Sequence, residues 1–315
     1  MFKNISSKNL LIIFIILFVL AAIFVYYDST TEVRTFKKDI VNIDTAKVTS
    51  VSIYSKATNH KEVKLFKQGN YWMVQLENNK SVPAEGSKIK NLINQLAQIK
   101  TSSLAAQDES KWTEYQVDTS GTRVKVFEGN DNTLDIILGK FSYQQQRRSM
   151  STYVRVKGDN NIYEVANFMG FAFNQKPDAF RNNYIVNDDM KNWNSLSFTY
   201  PADSSFTLVK DTLGHWSINN IRTDSAKTVN FLRTLSHLMG NEFVDNPDQS
   251  LLGKANYNVT ILSSANEGQP KTIDVSAFGD QFLLHSSQNP ESYFNGNTNS
   301  LKTKIFIGKN YFFKK

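Results

Sequence analysis

Histidines, cysteines and paired carboxylates carry much of protein chemistry, and this sequence offers few of them in a useful arrangement. It contains four histidines and no cysteine. No histidine has a second histidine or a carboxylate at the spacing of a metal site, so we predict no bound metal. The lack of cysteine excludes disulfides, thiolate nucleophiles and cysteine-ligated zinc. His215, which precedes Trp216, is interpreted as a hairpin side chain.

Two pairs of adjacent carboxylates could serve as acid–base groups, Asp108-Glu109 and Asp188-Asp189. We expect each pair to begin a short helix, because negative charge is favourable at a helix N-terminus; an acid–base pair in a cleft is the alternative. Residues 129–132 lack the further carboxylates of a calcium loop and are predicted to form a hairpin turn. We therefore predict that the protein is not an enzyme and that it has neither catalytic residues nor a cofactor.

The most unusual polar stretch is FSYQQQRRSMSTY, residues 141–153. It places Gln145, Arg147 and Arg148 between two predicted strands, so one interpretation is a solvated hairpin tip. The other is a contact point for a partner protein or for lipid phosphate, because a guanidinium can bind such groups through two parallel hydrogen bonds. These three residues are the candidate partner-binding residues.

The segment from Leu10 to Tyr27 is an uninterrupted run of 18 uncharged residues. As a helix it would be roughly 27 Å long, close to the thickness of a bilayer core. Tyr26 and Tyr27 would fall at the interface, where aromatic residues are enriched. A cleaved signal peptide is the alternative. We predict a single-pass signal anchor in the cytoplasmic (inner) membrane, with most of the chain on the extracytoplasmic, periplasmic side.

The formal net charge is +7, and no block of lysines and arginines stands out. A nucleic acid partner is therefore not expected. A surface that faces the anionic headgroups of the lipid bilayer fits this charge better.

One supersecondary unit occurs twice in the chain. The hairpins KLFKQGNYWMVQL (64–76) and TLVKDTLGHWSI (207–218) each contain a turn glycine followed by a tryptophan. Each hairpin precedes an amphipathic helix, within residues 82–100 and 222–240, and we expect Trp72 and Trp216 to have a structural role by packing on that helix. Asp224 or Ser225 can cap the second helix, and Gly240 can end it. Further strands follow in both copies, and residues 302–309 are predicted to be the last of them. The pattern predicts an α+β fold of antiparallel sheets, each with a helix on one face.

These patterns divide the chain into five parts. We predict a cytoplasmic N-tail (1–9), a transmembrane anchor (10–27), a stalk (28–46), a first α+β repeat (47–190) and a second α+β repeat (191–315).

Three motifs are typical of one bacterial family: the GNYWMV hairpin (69–74), KWTEYQVD (111–118) and IILGKFS (136–142). With the N-terminal anchor, they resemble the family called domain of unknown function 4340, well from Val48 to Val186 and more loosely in the second copy. The family pattern Trp-x-x-Tyr-Gly-Val has Gln116 in place of its glycine here, which puts the tight turn in question. The resemblance implies a membrane-anchored envelope protein, often encoded beside ABC transporter subunits similar to those of gliding motility, and it implies no catalytic residue.

Two functions follow as expectations. The first is a non-enzymatic accessory or scaffold subunit of a membrane complex, such as an ABC-type transport system with permease and ATPase subunits. The alternative is an extracytoplasmic module that binds a glycan or a small ligand, for which the aromatic and amide residues of 293–299 are a candidate. A third hypothesis is an enzyme whose catalytic residues are dispersed along the chain, and it predicts a cleft with convergent titratable side chains.

Overall fold

A computed structural model describes residues 13–22, 36–76, 80–145, 148–264, 270–280 and 282–314 of the chain. Within these ranges the strands form two large antiparallel sheets and one small one, and few residues are helical. The predicted α+β class is confirmed in this sheet-rich form.

The first sheet is built around the first predicted hairpin. Its strands are β1 (Val48–Tyr54), β2 (Glu62–Gln68), β3 (Tyr71–Gln75), β4 (Ser81–Pro83), β5 (Ser103–Ala106), β6 (Thr122–Glu128), β7 (Asp131–Gln144), β8 (Ser149–Val156) and β9 (Ile162–Ala166). Their spatial order is β4-β3-β2-β1-β6-β7-β8-β9-β5, and each neighbouring pair is antiparallel.

The second large sheet has eight strands. The remaining strands are β10 (Tyr184–Asn187), β11 (Trp193–Thr199), β12 (Phe206–Lys210), β13 (Trp216–Ile218), β14 (Ile221–Arg222), β15 (His237–Met239), β16 (Tyr257–Ser264), β17 (Pro270–Phe278), β18 (Leu283–Ser286) and β19 (Tyr293–Asn295). Eight of them lie in the order β14-β13-β12-β11-β16-β17-β18-β19, and β10 pairs with β15 in a separate two-stranded sheet.

Four α-helices accompany the strands in the described ranges: α1 (13–22), α2 (Gly86–Ala97), α3 (Ser225–Ser236) and α4 (Leu301–Ile305). The apolar side chains of α1 are about half exposed or more. Among the described residues, no helix has both the length and the apolar character needed to cross a membrane. The predicted anchor extends past α1 at both ends, into residues that lie outside the described ranges.

Each large sheet buries one face against one helix. In α2 the buried side chains recur at helical spacing: Ile89, Leu92, Ile93 and Leu96. They join the alternate apolar residues of β1, β2, β3 and β6 in one core. The buried side chains of α3 likewise form a core with the apolar residues of the second sheet. Burial of these apolar faces supplies the main driving force for both layers.

The two tryptophans of the hairpins hold corresponding positions. Trp72 and Trp216 are both buried, and a Cβ at Gly86, the first residue of α2, would stand 3.8 Å from Cδ1 of Trp72. The amide of Ala84 donates to the Trp72 carbonyl at 2.8 Å, and the amide of Thr223 donates to the Trp216 carbonyl at 3.0 Å. In both layers the bonded amide lies just before a helix, so the tryptophan backbone fixes where that helix starts.

The residue that follows this amide caps the helix in both layers. A carboxylate oxygen of Glu85 accepts from the Ser87 amide at 3.3 Å, and one of Asp224 accepts from the Lys227 amide at 3.0 Å. The cap residues also donate their own amides, Glu85 to the Phe180 carbonyl and Asp224 to the Phe312 carbonyl. The predicted cap at Asp224 is thus confirmed, and a carboxylate there suits the positive end of the helix dipole.

Two details of the predicted elements were wrong. The second helix ends at Ser236 and not at Gly240, because His237 leaves helical geometry and begins β15, which pairs with β10. Gly240 instead lies where a Cβ would meet the Phe294 ring at 2.2 Å. Residues 302–309 are not a strand, because Leu301 and Ile305 are placed one helical turn apart and both enter the second core.

Residues 36–46, the described part of the predicted stalk, lie against the first core. Phe36, Ile40, Val41 and Ile43 pack on it while partly exposed. The amide of Thr101 donates to the Lys38 carbonyl at 3.0 Å, and the Thr101 hydroxyl donates to the Lys37 carbonyl at 2.7 Å. The chain is therefore attached to the first layer from residue 36 onward.

Arg181 joins the two layers. Its side chain is almost fully buried, and Nη1 bonds Asp178 at 3.1 Å and Asp245 at 2.8 Å. The guanidinium also lies 3.6 Å from the centroid of the Phe243 ring. Because Asp245 and Phe243 follow α3 while Asp178 precedes β10, this one side chain contacts segments from both halves of the chain.

We expect Trp72→Ala and Trp216→Ala each to lower the free energy of unfolding by about 3–5 kcal/mol, the usual loss for removing a buried ring. Denaturant titration monitored by circular dichroism measures the change. Tyr71→Ala is the control, because Tyr71 is 76% exposed on the same strand as Trp72 and its removal should cost less than about 0.5 kcal/mol. Equal effects of Tyr71→Ala and Trp72→Ala would contradict the structural role of the indole.

Candidate functional site

The face of the first sheet opposite α2 carries a row of polar side chains. Tyr54 is the register partner of Arg123, Arg123 of Ile137, and Ile137 of Arg155. Residues directly opposite each other on neighbouring strands point to the same face. The row therefore brings two arginines from β6 and β8 to either side of one isoleucine.

A loop after β5 covers part of this row. Asp108 caps a short 3-10 turn (Glu109–Lys111) by accepting from the Ser110 amide at 2.8 Å. The Val117 amide then donates to the Trp112 carbonyl at 2.9 Å, and the Lys140 amide on β7 donates to the Tyr115 carbonyl at 2.8 Å. These bonds hold the motif Trp-x-x-Tyr-Gln-Val, residues 112–117, against the sheet.

Gln116 adopts the left-handed backbone conformation that its glycine counterpart would favour, with φ of 55°. The turn therefore forms with glutamine, at the modest cost that a side chain bears in this region.

The loop approaches the strands so closely that glycine is required at two positions, Gly121 just before β6 and Gly139 within β7. A Cβ at Gly139 would stand 2.3 Å from the Tyr115 carbonyl oxygen, and a Cβ at Gly121 would stand 2.4 Å from that of Gln116. Both obstructing atoms belong to backbone, which cannot rotate away as a side chain does. Gly121 and Gly139 thus allow the loop to sit directly on β6 and β7.

Arg155 is the most unusual side chain at this site. It is only 6% exposed, and its guanidinium lies 3.6 Å from the centroid of the Trp112 ring. Nε donates to the Val117 carbonyl at 3.0 Å and Nη1 donates to the Asp159 carbonyl at 3.3 Å. Within the described part of the chain, no carboxylate oxygen lies within 4.0 Å of its nitrogens. Burial lowers the pKa of Arg155, the direction expected for a cation removed from water.

Arg123 has the opposite environment. It forms a two-pronged ion pair with Asp135, at 2.8 Å from Nε and 2.6 Å from Nη2. The hydrogen bond to Asp135 raises the pKa of Arg123. The charge of Arg123 is therefore balanced by direct ion pairing, whereas the guanidinium of Arg155 contacts a ring face and carbonyl oxygens. The carboxylates of Glu109, Asp118, Asp135 and Asp159 act on Arg155 only from beyond ion-pair distance.

A cavity of about 500 Å³ lies between the loop and the strands. This volume is within the range of small-molecule sites. The residues around it are Tyr54, His60, Glu109, Trp112, Asp118, Thr119, Gly121, Arg123, Ile137, Arg155 and Lys157. Hydrogen bonds from Ser120 hold the pKa of Asp118 below its usual range, so this carboxyl stays ionised at neutral pH. The cavity thus has cations on its strand side and carboxylates on its loop side.

The candidate partner-binding residues lie elsewhere. Gln145 and Arg148 are exposed at the turn between β7 and β8, and Arg147 lies outside the described residues. The predicted hairpin is confirmed, while a partner contact there stays a prediction. Tyr293 and the residues that follow it are not among those around the cavity.

The two carboxylate pairs have structural partners. Asp108 and Asp189 each cap a short 3-10 turn, as predicted for helix starts. Asp188 accepts from the Trp193 ring nitrogen at 2.7 Å and from the Ser263 hydroxyl at 2.8 Å. Across the described ranges, no three metal-ligating side chains are grouped closely enough to hold an ion.

Sequence reasoning missed Arg155, Arg123 and Trp112 as a site. A signal was present, because strict alternation in TYVRVKG (152–158) places Arg155 on the face opposite the buried Val154. The sequence does not specify the strand register, which places Arg155 and Arg123 on the same row of the sheet. It also does not specify the fold of the loop, which brings Trp112 onto Arg155.

A family model described as Domain of unknown function (DUF4340) matches residues 72–256, more than half of the chain. The chain belongs to this family. In this DUF4340 protein the match begins at Trp72 and includes Trp112, Arg123 and Arg155. The chain matches no curated protein and no solved structure.

We expect Gly139→Ala to lower the free energy of unfolding by about 1–3 kcal/mol, because the new methyl group would overlap the Tyr115 carbonyl. Urea denaturation measures the loss. Gly253→Ala is the matched control, since no heavy atom lies within 4 Å of a Cβ built there and the change should stay within about 0.5 kcal/mol. Unchanged stability of Gly139→Ala would mean that the loop does not rest on the strand.

Proposed function

We propose that this DUF4340 protein is an extracytoplasmic, membrane-anchored binding module that holds a small acidic ligand in the cavity between Trp112 and Arg155. The observation that carries the proposal is the buried guanidinium of Arg155, which has no carboxylate partner among the described residues. A buried cation is costly unless it is paired, so such a group is a candidate for pairing with a ligand.

The chemistry of the cavity defines the ligand class. A carboxylate or phosphate would accept hydrogen bonds from the free guanidinium edge of Arg155 and gain from the nearby Lys157. The carboxylates of Glu109 and Asp118 on the loop side favour hydrogen-bond donors at the other end of the ligand. An acidic sugar, with one carboxylate and several hydroxyl groups, has both features.

The two large sheets are also proposed to form a tandem repeat. We infer that the two large sheets are copies of one unit, because all eight strands of the second sheet follow the same spatial order as eight of the nine strands of the first. The inference is also supported by the two sets of Trp-carbonyl and cap bonds, which join corresponding residues around α2 and α3.

Membrane attachment is supported by the 18-residue uncharged run and by the exposed apolar side chains of α1. A bilayer would cover these side chains. The role as an accessory subunit of an ABC-type transport system stays a prediction, as does the lack of enzymatic activity.

The binding proposal is tested with the full-length protein in detergent and with sodium glucuronate as the probe. We expect isothermal titration calorimetry to detect glucuronate but not glucose, because the two differ by the carboxylate. Arg155→Gln should weaken binding roughly 10–100-fold, the effect of losing charge-assisted hydrogen bonds worth about 1.5–3 kcal/mol. The exposed Arg222→Gln is the control and should bind as the wild type does.

Thermal melting of each variant in the absence of ligand verifies that it is folded. Inorganic phosphate serves as a second probe at the same ionic strength. The proposal is wrong if neither anion binds the wild type more tightly than it binds Arg155→Gln.

The anchor is tested separately by extracting membranes with alkaline carbonate. An integral helix should keep the protein in the membrane pellet, whereas a protein bound only by charge should be released. Deletion of residues 1–27 should transfer the protein to the soluble fraction. Release of the full-length protein would contradict the anchor and would leave the ligand proposal standing.

A further inference from the structure

We propose that the hairpin of β7 and β8 rests in the headgroup layer of the same bilayer that holds the N-terminal helix. The contact surface, named here the membrane-contact patch, consists of Phe141, Tyr143, Arg148, Met169 and Phe171. This inference rests on the proposed membrane anchor, and it adds a second point of attachment for the folded part of the chain.

The patch exposes large apolar side chains next to a cation. Its three aromatic residues and Met169 are between 37% and 57% exposed. Phe141 and Phe171 are in edge-to-face contact with ring centroids 5.3 Å apart, so they present one joined surface. Arg148 is exposed at the turn of the hairpin.

The hairpin projects beyond the end of β6. The pairing of β7 with β6 ends at Leu138 opposite Thr122, whereas β7 continues to Gln144. Past that point β7 pairs only with β8. Six further residues of strand extend roughly 20 Å past the end of β6. On the other side β9 accompanies β8 as far as Ser151, which pairs with Ala166, so Tyr143 and the turn lie beyond both neighbouring strands.

The chain enters the first layer at the same end of the sheet. Lys37 and Lys38 bond to Thr101, which lies just before β5. In the antiparallel order, the start of β5 lies beside the end of β9 and the start of β8, since Ser103 pairs with Glu164 and Ser151 with Ala166. The start of β8 is also the base of the projecting hairpin.

The length of the connection keeps the patch near the membrane. Eight residues, 28–35, separate the apolar run from the attached segment that begins at Phe36. Even when fully extended they span at most about 30 Å. The end of the sheet that bears the patch is therefore held within reach of the bilayer surface at all times.

The composition of the patch suits that surface. Aromatic side chains are favoured at the membrane–water interface, and a guanidinium binds lipid phosphate through two hydrogen bonds. A bilayer satisfies both kinds of group at once without requiring a complementary protein shape. A partner protein that covers the same patch is the competing outcome.

The native chain has no cysteine, so single-cysteine spin labelling needs no background substitutions. Full-length Tyr143→Cys, Tyr71→Cys and Leu17→Cys variants are labelled with a nitroxide and reconstituted in vesicles of phosphatidylcholine and phosphatidylglycerol. Power saturation then compares the collision of each label with oxygen, which concentrates in lipid, and with a water-soluble nickel chelate. Met169→Cys provides a second position on the patch.

We expect the oxygen-to-nickel ratio at positions 143 and 169 to be several-fold higher than at Tyr71, an exposed tyrosine at the opposite end of the sheet. Leu17, on α1, should give the highest ratio. A lipid-like ratio at Leu17 with water-like ratios at 143 and 169 would overturn the inference and leave the anchor intact.

Two other outcomes of the labelling experiment would also contradict the bilayer contact. Water-like ratios at 17, 143 and 169 would overturn both the anchor and the patch. Labels at 143 and 169 that are immobile and shielded from both reagents would overturn the bilayer contact and indicate a protein on the patch.

Discussion

The backbone carbonyl of one tryptophan in each half fixes the start of the helix that covers each large sheet. Trp72 and Trp216 follow turn glycines in their hairpins, and each accepts a hydrogen bond from the residue two positions before the helix. The next residue, Glu85 or Asp224, caps the helix and also binds the carbonyl of a phenylalanine distant in sequence. Hairpin, helix and closing segment are thus joined at one place, and the core of each layer depends on that junction.

The cavity lies on the opposite face of the first sheet and depends on a different constraint. The loop of residues 112–121 can lie on the strands only because Gly121 and Gly139 leave room for its carbonyl groups. That close approach brings the Trp112 ring over Arg155 and buries a guanidinium that forms no ion pair within 4.0 Å among the described residues. The packing that stabilises the loop therefore also buries the charged group to which the ligand is proposed to bind.

The two buried arginines, Arg181 and Arg155, differ in their ion pairing. Arg181 and Arg155 each stack on an aromatic ring at 3.6 Å, but Arg181 also bonds two carboxylates. Ion pairing balances the charge of Arg181 and makes this residue a link between the two layers. Arg155 has a similar ring contact without the pairing, and it faces a cavity in place of a second layer.

The sequence by itself determined the elements whose signals are local: the two Trp hairpins, the amphipathic helices, the cap at Asp224 and the uncharged N-terminal run. Hydrophobic periodicity, turn residues and helix caps each involve residues that are close together in the chain. They can therefore be recognised without knowledge of the fold. Only the tertiary structure decided that a helix forms at Leu301–Ile305 where a strand was predicted, that the second helix stops at Ser236, and that Arg123, Trp112 and Arg155 meet. Each of these depends on strand register or on packing between residues far apart in sequence, and a shift of register by one residue would have turned Arg155 to the other face of the sheet.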